Sequence, residues 1–182
     1  MDNGASSYRR FLDGDDSGFV QLIKDYKDGL ILYLNGIVGN IHTAEELTED
    51  TFFKVITKKP KFRGKSSFKT WLYAIGRNVA IDYLRRSSKA SMVYLDDGIA
   101  DEIDLEESYI KEERKIIIHR ALSKLSPDYR QVLWLVYFEE FTNKEAAAVM
   151  KKSVHNIETL LYRARQKMKK ELEKEGFVYE EL

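Results

Sequence analysis

The sequence predicts an all-α chain of two small helical domains, the second a helix-turn-helix, joined by an acidic flexible linker. Three observations carry that reading. Apolar residues recur with a period near 3.6 and β-branched alternation is scarce. Only two prolines interrupt 182 residues, Pro60 and Pro127. Charge is neutral overall, with thirty basic and thirty acidic residues, but falls into blocks. Residues 54–89 carry eleven cations against Asp82, a net +10; residues 96–113 sum to −8 and residues 151–174 to +5. Two basic blocks flanking an acidic one say more about partners than the zero total does.

The first predicted helix lies in "SGFVQLIKDYKDGLILYLNGIVGN", where Phe19, Leu22, Ile23, Tyr26, Leu30, Leu34, Ile37 and Val38 form one stripe and Gly39-Asn40 provides a stop. The second follows in "TAEELTEDTFFKVITKK", with Thr43 and Glu46 at capping-box spacing and Pro60 closing it. The third is "FKTWLYAIGRNVAIDYLRR", capped by Ser66 or Ser67. Phe68, Leu72, Ile75, Val79, Asp82 and Tyr83 share one side, Trp71 lies at the margin, and Asp82 must be paired or sit at the edge. Composition then changes: "SSKASMVYLDDGIADEIDLEESYIKEE" is polar and weakly periodic, as a connection between domains should be. The boundaries expected are a domain over 1–88, a linker over 89–111 and a second domain over 112–182.

Helices resume from Tyr109 to Leu125, and again behind Ser126 as N-cap with Pro127 at the first helical position. Thr142 and Glu145 mark another capping box. A helix with three alanines (Ala146, Ala147, Ala148), the break "KKS" and a long basic helix from Val154 to Glu173 make the pattern of a helix-turn-helix. Val154, Ile157, Leu161, Ala164 and Met168 should face inward, leaving His155, Thr159, Tyr162, Arg163 and Gln166 outward. Such a face can read base edges with its first half and touch phosphates with Arg165, Lys167, Lys169 and Lys170. An ordinary surface helix would show the same amphipathicity.

The stretch "KKPKFRGKSSFKT" interleaves Lys58, Lys59, Lys61, Arg63, Lys65 and Lys69 with Phe62 and Phe68. Cations that follow a backbone, with rings between them for unpaired bases, are what single-strand binding requires. Each stacked base contributes about 1–3 kcal/mol, and opening a duplex step costs a few kcal/mol. Such a patch can trap a parted strand but not melt several pairs alone, so a larger machine is implied. The plainer reading is core packing for Trp71 and Phe68 and a solvated face for the lysines.

No signature of catalysis emerges. "GKS" at Gly64–Ser66 imitates the end of a phosphate loop, but Lys59 stands where the motif needs its earlier glycine. His42, His119 and His155 lack metal-ligand spacing, and the chain has no cysteine, so neither a metal nor a cofactor is expected. No run approaches the ~20 apolar residues of a spanning helix, and a cytoplasmic protein with no membrane insertion is the expectation.

From Phe19 to Leu172 the chain resembles the extracytoplasmic-function sigma factors, specificity subunits of bacterial RNA polymerase. "FRGKSSFKTWLYAIGRNVAIDYLRR" is similar to the family's promoter-melting segment, "TAEELTEDTFFKV" to its clamp-binding segment, and "LSPDYRQVLWLVYFEEFTNKEAAAVMKKSVHNIETLLYRARQKMKK" to its final helix-turn-helix domain. The resemblance implies core polymerase contact through Glu45, Glu46, Glu49, Asp50 and Phe52. It implies capture of the minus-ten strand by Lys61, Phe62, Arg63, Lys65, Ser66, Phe68, Lys69, Trp71, Arg77, Asn78, Arg85 and Arg86. It further implies duplex reading of the minus-thirty-five element by Lys152, Ser153, His155, Asn156, Thr159, Tyr162 and Arg163. Core RNA polymerase and promoter DNA are the implied partners, with an anti-sigma protein as a third, and the family's linker threads into the polymerase interior. This sequence departs from the family in Glu49-Asp50 of the clamp helix and in Glu158-Thr159 of the recognition helix. Two rivals stay open on the residues alone: a polymerase-independent helix-turn-helix regulator with a sensing domain, and an interaction protein whose basic blocks bind an acidic partner.

Overall fold

A computed structural model describes residues 2–91 and 113–176, with side chains described at 2–88 and 117–176. The described residues contain helices and no strand. In order they are α1 (Asn3–Leu12), α2 (Asp16–Val38), α3 (Ile41–Lys58), α4 (Phe68–Ser91), α5 (Glu113–Ser123), α6 (Pro127–Leu133), a π-helical turn (Trp134–Phe138), α7 (Asn143–Met150) and α8 (Val154–Lys174). Most of the expected acidic linker, from Met92 onward in the sequence, lies outside the described residues, as does the start expected for α5 at Tyr109.

Helix α1 was not foreseen. Asp2 caps it by accepting from the Ala5 amide at 3.1 Å, and the same carboxylate accepts from the Phe68 amide at 2.6 Å, which ties the chain start to the start of α4. Tyr8, fully buried, donates to the Pro60 carbonyl at 2.8 Å. Helices α1 and α2 cross so closely at Gly18 that an added Cβ would lie 2.3 Å from the Ser7 carbonyl oxygen. Gly39 ends α2 in the left-handed region at φ 75°, where glycine bears no Cβ penalty. Asn40, not Thr43, caps α3: its side chain accepts from the Thr43 amide at 2.9 Å, so the helix begins three residues earlier than the capping-box reading.

Ser67 caps α4, accepting from the Thr70 amide at 3.2 Å. Asp82 is paired, to Arg85 one turn on. The capping box at Thr142 and Glu145 forms in full, and Pro127 opens α6.

One core runs through both helix groups, because α2 packs against α6 and α4 against α7. The predicted stripes were therefore too narrow. Tyr33 of α2 and Tyr73 of α4 are left out of them yet are fully buried, with ring centroids 5.3 Å apart and Phe141 5.3 Å from Tyr73. Val154 errs the other way: expected inward, it is 41% exposed at the first turn of α8.

Candidate nucleic-acid interface

Three surfaces come from the residues singled out above. The first is the loop from Lys59 to Ser67 with the start of α4. Lys61, Arg63 and Lys65 are exposed, and Ser66 is half-buried beside them. Trp71 is half-buried within a cluster of rings: centroids lie 5.4 Å away at Tyr8, 5.4 Å at Phe62 and 5.3 Å at Phe68. Phe68, expected to offer a face to a base, is fully enclosed by Tyr8, Tyr26, Phe62 and Trp71. Helix α1, which the sequence reading did not supply, covers it. The ring therefore props Trp71 and Phe62 from below, while those two keep part of their surface open. Further along α4, Asn78 is half-buried and Arg86 exposed, and Arg85 is engaged by Asp82.

Lys69 and Arg77 lie on a different side of α4, and the C-terminal helices cover it. Lys69 Nζ approaches Glu139 Oε2 at 2.8 Å and donates to the Glu139 carbonyl at 2.9 Å, with its ammonium 5.2 Å from the Phe141 ring centroid. The Glu139 side chain, 10% exposed, also accepts from the Trp134 indole N–H at 3.1 Å and bonds the Tyr73 hydroxyl. Burial, followed by the nearby Glu139 charge, pushes the Tyr73 phenol well above its ordinary range, so it stays a donor. Arg77 Nε donates to Gln131 Oε1 at 3.0 Å, and the hydroxyls of Ser67 and Thr70 each donate to Glu145 Oε1 at 3.3 Å. Glu139 and Gln131, and the second role of Glu145 beside its capping box, are not legible in the sequence, since a residue's partner on another helix group leaves no local signal.

The second surface is α8. Ser153 caps it, accepting from the Asn156 amide at 3.1 Å. Ile157, Leu161 and Ala164 seat the helix against its neighbours and leave His155, Asn156, Tyr162 and Arg163 exposed, the Tyr162 ring by 64%. Thr159 is half-buried and its hydroxyl donates to the His155 carbonyl at 3.1 Å. Lys152 pairs with Asp128 at 3.1 Å, tying the turn before α8 to the start of α6. Tyr129, Tyr162, Arg163, Gln166, Lys167 and Lys170 line an open groove of about 320 Å³, basic and aromatic except at Gln166. Cations clustered on one helix face in this way suit a phosphate backbone.

The third surface is an open groove of about 460 Å³ between α2 and α3, lined by Phe19, Ile23, Lys27, Glu49, Asp50, Phe53 and Ile56, with Phe52 and Thr48 in its floor. Glu46, Glu49 and Asp50 are exposed, whereas Glu45 is half-buried and 3.6 Å from the His42 ring nitrogen. Phe52 is 6% exposed and packs edge-on against Phe19, whereas its neighbour Phe53 is 63% exposed. Of the Phe-Phe pair, the ring named for the polymerase contact is therefore the buried one, because α3 turns Phe52 toward Phe19 of α2. No group of His, Asp or Glu among the described residues could hold a metal ion.

Residues 22–90 match the family description Sigma-70 region 2, and residues 115–168 match Sigma-70, region 4. The ECF RNA polymerase sigma factor SigW of Bacillus subtilis (strain 168) is 28% identical over 172 residues, spanning 87% of this chain and 91% of its own. The RNA polymerase sigma factor YlaC of the same organism is 31% identical over 157 residues, 84% of this chain and 91% of its own. Among solved structures, the sigma factor RpoE in complex with the anti-sigma factor NepR from Bartonella quintana has a TM-score of 0.67 at 22% identity, covering 85% of this chain and 96% of that one. CnrH in complex with the cytosolic domain of CnrY has a TM-score of 0.62 at 21% identity, covering 94% and 96%. Both share the fold.

Proposed function

Because the chain belongs to the extracytoplasmic-function sigma factors of bacterial RNA polymerase, we propose that its surfaces divide promoter recognition: α8 reads the minus-thirty-five element as duplex, and the Lys61–Trp71 surface holds the parted minus-ten strand. As a sigma factor the protein binds core RNA polymerase and directs promoter-specific initiation. That membership favours the polymerase-bound reading over a polymerase-independent regulator.

The observation that carries the strand assignment is one half-open indole, Trp71, braced by three rings and adjoined by a loop whose cations all reach solvent. Cations follow the phosphates while Trp71 and Phe62 supply faces to bases. The groove with Glu49, Asp50 and Phe53 is the surface assigned to core polymerase. Its apolar floor and acidic rim suit a helix with matching cations. An anti-sigma protein is a further proposed partner, such as those recorded with RpoE and CnrH. The cytoplasm, where polymerase works, is the proposed location. Among the described residues no helix is long and apolar enough to cross a membrane. Division of the chain at 1–88, 89–111 and 112–182 belongs to the same proposal.

The packing of α7 on α4 adds a requirement. Lys69 and Arg77 cannot serve the strand while Glu139 and Gln131 hold them. The two helix groups must separate on the polymerase before those cations are free. Trp71→Ala tests the strand assignment: open-complex formation, followed by permanganate reactivity of the bubble, should fall by about tenfold, with closed-complex retention on filters unchanged. Equal loss in both assays, or none, refutes the role of the ring.

A further inference from the structure

Helix α8 carries three carboxylates among its cations. Two are neutralised in place: Glu171 lies 3.3 Å from Lys167 and 3.0 Å from Lys174, and Glu173 lies 3.9 Å from Lys169. Glu158 is different. It is exposed, and has neither a hydrogen-bond nor an ion-pair partner among the described residues. The positions one turn away on its own helix, Val154, His155, Leu161 and Tyr162, bring no permanent cation. It is the fifth residue of α8 and shares a stripe with His155 and Tyr162, on the half of the helix that enters a groove first.

An unneutralised carboxylate in that place has only two fates against duplex DNA. Near phosphate oxygens it is repelled, weakening every site alike. Against base edges it can only accept, so it must meet a donor. In the major groove the cytosine edge offers its N4 amino group alone. Guanine offers two acceptors, thymine an acceptor and a methyl group, and adenine an amino group beside the N7 acceptor. We infer that Glu158 is a specificity-determining residue that accepts a hydrogen bond from the amino group of one cytosine in the minus-thirty-five element. This rests on the reading that α8 lies in the major groove, and it turns the missing cation into positive selection: a site without that cytosine leaves a buried, unpaired charge.

The experiment is selection from a promoter library randomised over the minus-thirty-five element, by holoenzyme reconstituted from core polymerase with the wild type, Glu158→Ala or Glu158→Gln. The expected result is enrichment of cytosine at one position by wild type, on the order of tenfold over the other bases. Glu158→Ala should lose the preference at that position and keep the others. Glu158→Gln should exchange it for adenine, whose N6 and N7 suit an amide. If Glu158→Ala binds all sequences more tightly by one factor, with the position preferences intact, Glu158 is a repulsive charge only and the inference falls. If wild type shows preferences that neither variant alters, it falls equally, while duplex reading by α8 survives. A wild-type library with no preference at any position overturns the duplex assignment itself, and this inference with it. Because the side chain is exposed and makes no hydrogen bond or ion pair among the described residues, both variants should fold, which their far-ultraviolet dichroism checks.

Discussion

Glu139→Ala should unlatch the two helix groups, and the cost follows from what that carboxylate holds. Three donors converge on it: the Lys69 ammonium at 2.8 Å, the Trp134 indole N–H at 3.1 Å and the Tyr73 hydroxyl. Tyr73 is 1% and Trp134 8% exposed, so neither donor readily finds water once the acceptor is gone. A buried donor left unpaired costs about 1–3 kcal/mol. The Lys69 side chain, 31% exposed, can swing toward solvent, and its share is smaller. The sum is about 2–6 kcal/mol against the packed arrangement. Lys69→Met keeps the stem on Tyr73 and Phe141 and removes only the charge, for about 1 kcal/mol. A double-mutant cycle by urea unfolding should give a Lys69–Glu139 coupling of about 1–2 kcal/mol, as contacting residues in one polar network do. Because opening multiplies the competent fraction tenfold for each 1.4 kcal/mol, free Glu139→Ala protein should bind a minus-ten single strand at least about thirtyfold more tightly than wild type. Coupling below about 0.3 kcal/mol, or unchanged strand affinity despite a measured destabilisation, would refute the reasoning.

Arg163→Ala, at the exposed face of α8, should reduce the slope of log affinity against log salt on promoter DNA by about one unit; an unchanged slope removes the phosphate contact. Gly18→Ala should destabilise the protein by more than about 2 kcal/mol, because the new methyl meets the Ser7 carbonyl and Phe11 amide of α1, both backbone atoms that cannot swing aside. Thermal unfolding within 1 kcal/mol of wild type would contradict that crossing. His119 packs against Trp134 and Phe138, and burial pushes its pKa down from 6.5 to about 4. The unfolded chain therefore binds more protons between those values, and stability should be full above about pH 6.5 and fall as pH drops toward 4. Urea titrations of His119→Phe should lack that part of the slope, and a slope equal to wild type would assign it to other groups.

How far the sequence spoke depends on where each residue's partner lies. Caps were readable at Thr142 and Gly39, and to within one residue at Ser66 or Ser67, of which Ser67 is the cap, because donor and acceptor sit within one helical turn of each other. The start of α3 was misread at Thr43 because a capping-box spacing is also satisfied inside a helix, and the choice fell to Asn40. Helix α1 was invisible for a different reason. Its residues "NGASSYRRFL" show one short apolar stripe of Tyr8 and Phe11, too brief for periodicity, and what holds it is distant: Asp2 on Phe68 and Tyr8 on Pro60. The basic, aromatic composition of the loop was evident in the sequence, whereas the split of its rings into a buried Phe68 and a half-open Trp71 was not, since α1 imposes it.

That split bears on how a strand could be held at all. A free indole on a loop would have to give up its rotamer freedom when a base stacked on it, which offsets part of the 1–3 kcal/mol of stacking. Trp71 has surrendered that freedom on folding, since Tyr8, Phe62 and Phe68 surround it at 5.3–5.4 Å between centroids. Tyr8→Ala should then weaken strand capture although Tyr8 touches no DNA, because it loosens the platform. Fluorescence anisotropy of Trp71, separated from Trp134 by a Trp134→Phe background, should show faster ring motion in the Tyr8→Ala protein alongside a severalfold loss in minus-ten strand affinity. Loss of affinity with the ring as rigid as before would mean that α1 acts by another route.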